Sequence, residues 1–121
     1  MQKLTKAQED IMHFVWELGE CTVGDLRSAI EARDGKKPAH STVSTLILAL
    51  DDRGFVTHRK YGRTFVYTPA VSREEYGRQS LGQLIKKFFR GSPSLAVSQL
   101  VEHDNLSLEE LNSLVRKLEE E

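Results

Sequence analysis

The stretch His40 to Gly54, "HSTVSTLILALDDRG", decides how the rest of the chain is read. Val43, Leu46, Ile47 and Leu50 fall at i, i+3, i+4 and i+7, the spacing of a helix with one buried face, and Gly54 follows as a stop. Its first turns carry four hydroxyls, Ser41, Thr42, Ser44 and Thr45, although Ser and Thr are mediocre helix formers. One or two of them fit a helix cap at Ser41 or Thr42. Four ask for a further reason.

Upstream, Thr5-Lys6-Ala7-Gln8 is a capping box. Ala7, Ile11, Phe14, Val15 and Leu18 then form an apolar stripe that Gly19 ends. A second helix starts after Thr22, turns Val23, Leu26 and Ile30 inward, and ends near Arg33, before the soft loop "DGKKPA". Downstream of Gly54 the period falls from 3.6 to 2. "FVTHRK" and "RTFVYT", separated by Tyr61-Gly62 and closed by Pro69, read as a β-hairpin. The remainder is helical. A box at Ser72 opens a helix with Leu81, Leu84, Ile85, Phe88 and Phe89 on its apolar face. Ser92-Pro93 opens a short helix with Leu95, Val97, Leu100 and Val101. A box at Ser107 opens a last helix with Leu108, Leu111, Val115 and Leu118, and Leu114 beside them.

The fold class is therefore mainly α with a small β-hairpin. Residues 1–70 form a winged helix-turn-helix and 71–121 a three-helix lobe. In a winged helix the third helix enters the DNA major groove and the hairpin touches the adjacent backbone. That supplies the reason for the hydroxyls. Short polar side chains let the helix backbone approach the bases. A hydroxyl meets either kind of base edge, and the Thr methyl packs on that of thymine. His40, Ser41, Thr42, Ser44, Thr45 and Leu48 become the candidate groove residues. Arg59, Lys60 and Arg63 become the candidate phosphate contacts, with His58 on the way up the hairpin. A charged hairpin also shields a sheet edge from aggregation, so its charge alone does not argue for DNA.

Charge is distributed accordingly. The 121 residues carry net −1, but 1–34 hold 4 basic and 7 acidic groups, 35–90 hold 11 and 4, and 91–121 hold 2 and 7. A basic middle of net +7 between acidic ends suits a localised polyanion contact. The alternative is a winged-helix protein–protein interaction module without DNA binding. Such a module needs no basic excess, and a gel shift at two salt concentrations separates the two.

Other classes find little support. Cys21 is the one cysteine, so no internal disulfide forms and a reducing compartment is expected. At a helix N-terminus it is either a low-pKa redox sensor or a small residue in a turn. His13, His40, His58 and His103 show no ligand spacing, so neither metal nor cofactor is expected. No nucleophile elbow or phosphate loop is present, and no enzymatic activity is expected. The N-terminus is too polar for a signal peptide, and no apolar run approaches the roughly 20 residues of a membrane span. The location expected is cytoplasmic, without membrane insertion.

The segment "HSTVSTLILALDDRGFVTHRKYGRTFVYTP" resembles the penicillinase-repressor family, the BlaI/MecI group of bacterial winged-helix regulators. The shared features are the TV-x-T-L helix, the Gly-hydrophobic-Val step into the wing and the Tyr-x-Pro exit. "LTKAQEDIMHFVWELGECTVGDL", including Trp16, and "KKFFRGSPSLAVSQLVEHDNLSLEELNSL" extend the likeness over essentially the whole chain. The resemblance implies a homodimeric repressor on a palindromic operator, controlling antibiotic-resistance or cell-envelope stress genes. It implies C-terminal helices that interlock between subunits, here through Leu84, Ile85, Phe88, Phe89, Leu100, Leu111, Leu114, Val115 and Leu118. It also implies release by a sensor-linked protease. The family is cut at an Asn-Phe pair, and the matching positions here are Gln99 and Leu100, a departure at the bond itself. Copper-responsive relatives carry a cysteine-rich C-terminal motif that residues 71–121 lack, so copper sensing by that route is not implied.

Overall fold

A computed structural model describes residues 3–103 together with 107, 109, 110, 112, 113 and 116. The element order is α1 (Lys6–Leu18), α2 (Val23–Asp34), α3 (His40–Asp52), β1 (Val56–Tyr61), β2 (Thr64–Pro69), α4 (Arg73–Phe88) and α5 (Pro93–His103). The chain forms two compact units, Met1–Arg78 and Gln79–Glu121.

In the first unit, α1 and α2 both start with a complete capping box. Thr5 Oγ1 accepts from the Gln8 N–H while Gln8 Oε1 accepts from the Thr5 N–H, and Thr22 and Asp25 do the same for α2. The core gathers Ile11, Met12 and Val15 of α1, Leu26 of α2, Val43, Ile47 and Leu50 of α3, and Phe55, Val56 and Tyr67 around the hairpin. The stripe expected on α1 is rotated. Ala7 and Leu18 are exposed, whereas Met12 and Leu4 are buried. The core meets α1 along the Ile11–Met12–Val15 arc, and Leu18 in the last turn projects past its edge.

The hairpin is antiparallel, with Val56 opposite Pro69 and Tyr61 opposite Thr64. Tyr61 therefore belongs to β1, and the turn is Gly62-Arg63 rather than Tyr61-Gly62. Gly62 has φ +61° and Arg63 does not have positive φ, the pattern of a II′ turn, which matches the strand twist and favours Gly at its first position. Pro69 ends β2, where a missing N–H costs nothing in the ladder. Tyr67 also forms a backbone bridge with Cys21: the Cys21 N–H donates to the Tyr67 carbonyl at 2.9 Å, and the Tyr67 N–H to the Cys21 carbonyl at 2.7 Å.

Four side-chain bonds close this unit. Trp16 Nε1–H donates to the Val71 carbonyl at 2.8 Å, and the Leu4 N–H to the buried Tyr76 hydroxyl at 3.2 Å. These bring the segment after the hairpin and the first turn of α4 into the first unit. Arg53, which caps the C-terminus of α3, donates to Gln8 Oε1 at 2.6 Å and to the Lys3 carbonyl at 2.8 Å.

In the second unit, α5 opens as expected, with Ser92 Oγ accepting from the Leu95 N–H at 3.4 Å. Ser107 Oγ accepts from the Glu110 N–H at 3.1 Å, as the third box requires. Leu84 and Phe88 are exposed, while Ile85 and Phe89 are half-buried. On α5, Leu95, Leu100 and Val101 are exposed. Leu108, Leu111, Leu114, Val115 and Leu118 lie outside the described residues.

Candidate nucleic-acid interface

α3 is positioned by its buried face. Val43, Ile47 and Leu50 are at most 1% exposed, and Leu46 packs on the rim of the core. Its entry is fixed from α2, where Arg27 Nε donates to the Pro38 carbonyl at 2.9 Å. The helix begins at His40, with Ala39 as its cap and no side-chain cap bond. Capping by Ser41 or Thr42 is thus overturned: both lie inside the helix. Pro38 and Ala39 hold the chain extended up to His40, so the helix starts before either hydroxyl can serve. Among the described residues, none of the four hydroxyls takes part in a hydrogen bond.

The opposite face of α3 carries Ser41, Thr45 and Leu48 at i, i+4 and i+7, with Thr42 beside them, all exposed. Leu48 keeps 50% of its surface in water, costly for an apolar side chain one position away from a buried Ile47. Ser44 is half-buried and lateral, and His40 is exposed at the helix start.

The hairpin alternates. Val56, His58 and Lys60 share a face with Phe65 and Tyr67, while Thr57, Arg59 and Tyr61 stand on the other with Val66 and Thr68. Contacts agree: Thr57 and Thr68 hydroxyls lie 2.9 Å apart, Lys60 Nζ lies 5.6 Å from the Phe65 ring centre, and the His58 ring meets Phe65 edge-on at 5.5 Å. Arg59 and Lys60 are therefore neighbours in sequence but opposite in direction, and Arg63 occupies the turn. All three are exposed. His58 Nδ1 sits 2.7 Å from Asp51 Oδ2, which joins the base of the hairpin to the last turn of α3.

Cys21 is 1% exposed, and its thiol is pushed up from 9.0 to about 11, first by burial and then by the Asp25 charge. This corrects the redox-sensor alternative, because a buried protonated thiol is inert. The helix N-terminus was the wrong guide: Cys21 lies in the bridge with Tyr67, ahead of the Thr22 cap. The Tyr67 phenol is raised as well, by burial and by Asp51 and Cys21. Among the described residues, no three His, Cys, Asp or Glu side chains gather as metal ligands.

Three features escaped the sequence reading. Lys36 and Lys37 are exposed in the loop just before α3; the doublet in "DGKKPA" was their signal. Tyr61 and Phe65 are exposed on the hairpin, 56% and 43%, although they read as strand formers. The Asp51–His58 contact has no sequence signal, since it joins two periodic patterns of different length.

The penicillinase-repressor description matches residues 4–120. The penicillinase repressor of Bacillus licheniformis is 28% identical over 118 residues, covering 98% of this chain and 91% of its own. The methicillin resistance regulatory protein MecI of Staphylococcus aureus is 23% identical over 112 residues, with 93% and 89% coverage. Among solved structures, the DNA-binding domain of the repressor BlaI superposes with a TM-score of 0.52 at 25% identity, over 63% of this chain and 94% of that one. The monomeric form of B. licheniformis BlaI in complex with the blaP half-operator gives 0.50 at 24%, over 62% and 89%, a likeness of fold. The two BlaI likenesses reach about two thirds of the chain, whereas the sequence match runs on through the second unit. The chain belongs to the penicillinase-repressor family.

Proposed function

We propose that this protein is a sequence-specific DNA-binding repressor acting as a dimer on a palindromic operator. One observation carries the reading. The exposed face of α3 bears Ser41, Thr42, Thr45 and Leu48, their hydroxyls unused by the protein, with a basic hairpin following directly. Such a face matches a major groove, where hydroxyls take base edges and Leu48 takes a thymine methyl. His40 and Ser44 border it. Arg59, Lys60 and Arg63 bind phosphates, joined by Lys36 and Lys37 ahead of the helix. That one BlaI structure is a complex with a half-operator supports the same partner.

The DNA-binding lobe is residues 1–70 with the short segment to Arg78 packed on it, and the rest serves dimerisation. The exposed Leu84 and Phe88 of α4 and Leu100 of α5, with Ile85 and Phe89, support an interface. Leu111, Leu114, Val115 and Leu118 complete it. A sensor-linked protease acts at Gln99-Leu100, both exposed on α5, and releases resistance or envelope-stress genes. The protein works in the cytoplasm by occupying DNA, without catalysis. Among the described residues, no helix is long and apolar enough to cross a membrane.

Selection of bound fragments from random duplexes, followed by gel shifts of the selected sequence, tests this. A two-fold site with half-sites about 10 base pairs apart is the expected product. Absence of any binding at low salt favours the protein-interaction module instead.

A further inference from the structure

The hairpin is anchored only at its base. Val56 and Tyr67 are buried and the Cys21 bridge holds β2, whereas 59–65 are exposed throughout. His58 stands at the edge of the anchored part, opposite Tyr67, with Arg59 and Lys60 directly beyond it. Its Nδ1 lies 2.7 Å from Asp51 Oδ2; the Asp51 side chain is 20% exposed and the His58 side chain 46%. A carboxylate only accepts, so Nδ1 carries a proton in either charge state. A second proton can add only at Nε2. Adding it turns a neutral donor into an imidazolium, so the bond to the carboxylate gains the attraction of an ion pair.

The charged and titratable groups around the imidazole come from both the helix and the hairpin. The Asp51 carboxylate faces it from α3. Tyr67 faces it from β2 at 6.1 Å between rings, with the Cys21 thiol behind; burial pushes both groups up, and both stay neutral near neutral pH. On its own strand Lys60 lies over Phe65. His58 is the one imidazole among these groups.

We propose that Asp51 and His58 form a proton-linked positioning pair for DNA binding. The imidazolium form fixes the hairpin against the last turn of the recognition helix. The basic residues beyond His58 are then held at the backbone bordering the groove that α3 occupies. This rests on the DNA-binding reading above.

The test uses the full chain and a fluorescein-labelled random-sequence duplex at low salt, with affinity measured near pH 6 and pH 8. Asp51→Asn removes a negative charge and by itself tightens binding to a polyanion, so the readout is the ratio of affinities at the two pH values. His40 and the other histidines contribute to that ratio equally in every variant. The wild type is expected to show a ratio roughly 3- to 10-fold larger than His58→Asn, which keeps a neutral donor near the Nδ1 position but cannot take a charge. His58→Asn should match the wild type at pH 8. His58→Phe should be weaker at both pH values, and Asp51→Asn should lose the excess ratio. Circular dichroism checks that each variant is folded. Equal ratios in wild type, His58→Asn and Asp51→Asn overturn the proposal. A ratio lost in His58→Asn but kept in Asp51→Asn also overturns it, since His58 then touches DNA directly. A wild type that binds no duplex at either pH sinks the DNA reading itself, and the pair's role with it.

Discussion

The steepness of the salt dependence follows from the cations the structure places around α3. Lys36 and Lys37 precede the helix, Arg59 and Lys60 leave the hairpin on opposite faces, and Arg63 sits in its turn. If both faces of the hairpin reach phosphates, five charges are neutralised; if it lies flat, only one of Arg59 and Lys60 counts. Each phosphate contact contributes about −0.9 to the slope of log affinity against log salt, which gives roughly −3.6 to −4.5 per winged helix. Raising salt fourfold, from about 50 to about 200 mM, should then weaken binding about 150- to 500-fold. Arg63→Ala should reduce the slope by about 0.9, so that the variant loses about 3.5-fold less over the same range. The assay is fluorescence anisotropy on a duplex of about 12 base pairs, too short for two half-sites spaced about 10 apart. A slope shallower than about −2 refutes the placement of these cations. So does an unchanged slope in Arg63→Ala.

Thr45→Ala should cost about 1 kcal/mol of discrimination between a selected site and random DNA, while the half-buried Ser44→Ala should cost less; competition gel shifts measure both. The Cys21 thiol keeps its proton in the folded state where the unfolded chain has lost it. Its contribution to stability is full below pH 9.0 and is lost as pH rises toward about 11. Cys21→Ala should flatten that alkaline decline in urea midpoints, and thiol reagents at neutral pH should label the wild type only on unfolding. Truncation after Gln99 should leave a folded winged helix by circular dichroism but a monomer by sedimentation. Tight operator binding should fall about 10²–10⁴-fold with the loss of the second half-site. A truncated chain that binds a palindrome as well as the intact one refutes dimer control.

The winged helix was legible because each element punctuates itself. Thr5 and Thr22 cap as read, the Val43–Ile47–Leu50 face is buried, and the change of period at Gly54 marks the hairpin. Errors arose where tertiary contacts set the outcome. Leu18 fits the period of α1 but overshoots the core, and Met12 enters it through a slight rotation of the helix. Pro38 and Ala39 start α3 before Ser41 can cap it. Cys21 sits where a helix N-terminus would activate a thiol, yet the bridge to Tyr67 buries it. Among site residues, types and order were readable but direction was not. That Arg59 and Lys60 diverge, and that Asp51 reaches His58, depends on where the hairpin folds back.

The bridge between Cys21 and Tyr67 has a consequence for engineering. A one-residue slip of β2 would turn Tyr67 out of the core and break both bonds to Cys21, so the register of the hairpin is set at its root rather than at its turn. The outer segment, 59–65, is thus free to vary in length and chemistry without unsettling the body that carries α3. Longer or differently charged tips could be grafted between His58 and Val66 to widen or narrow the footprint on DNA. Retained hydrogen-exchange protection at the Tyr67 amide would report that the root has held.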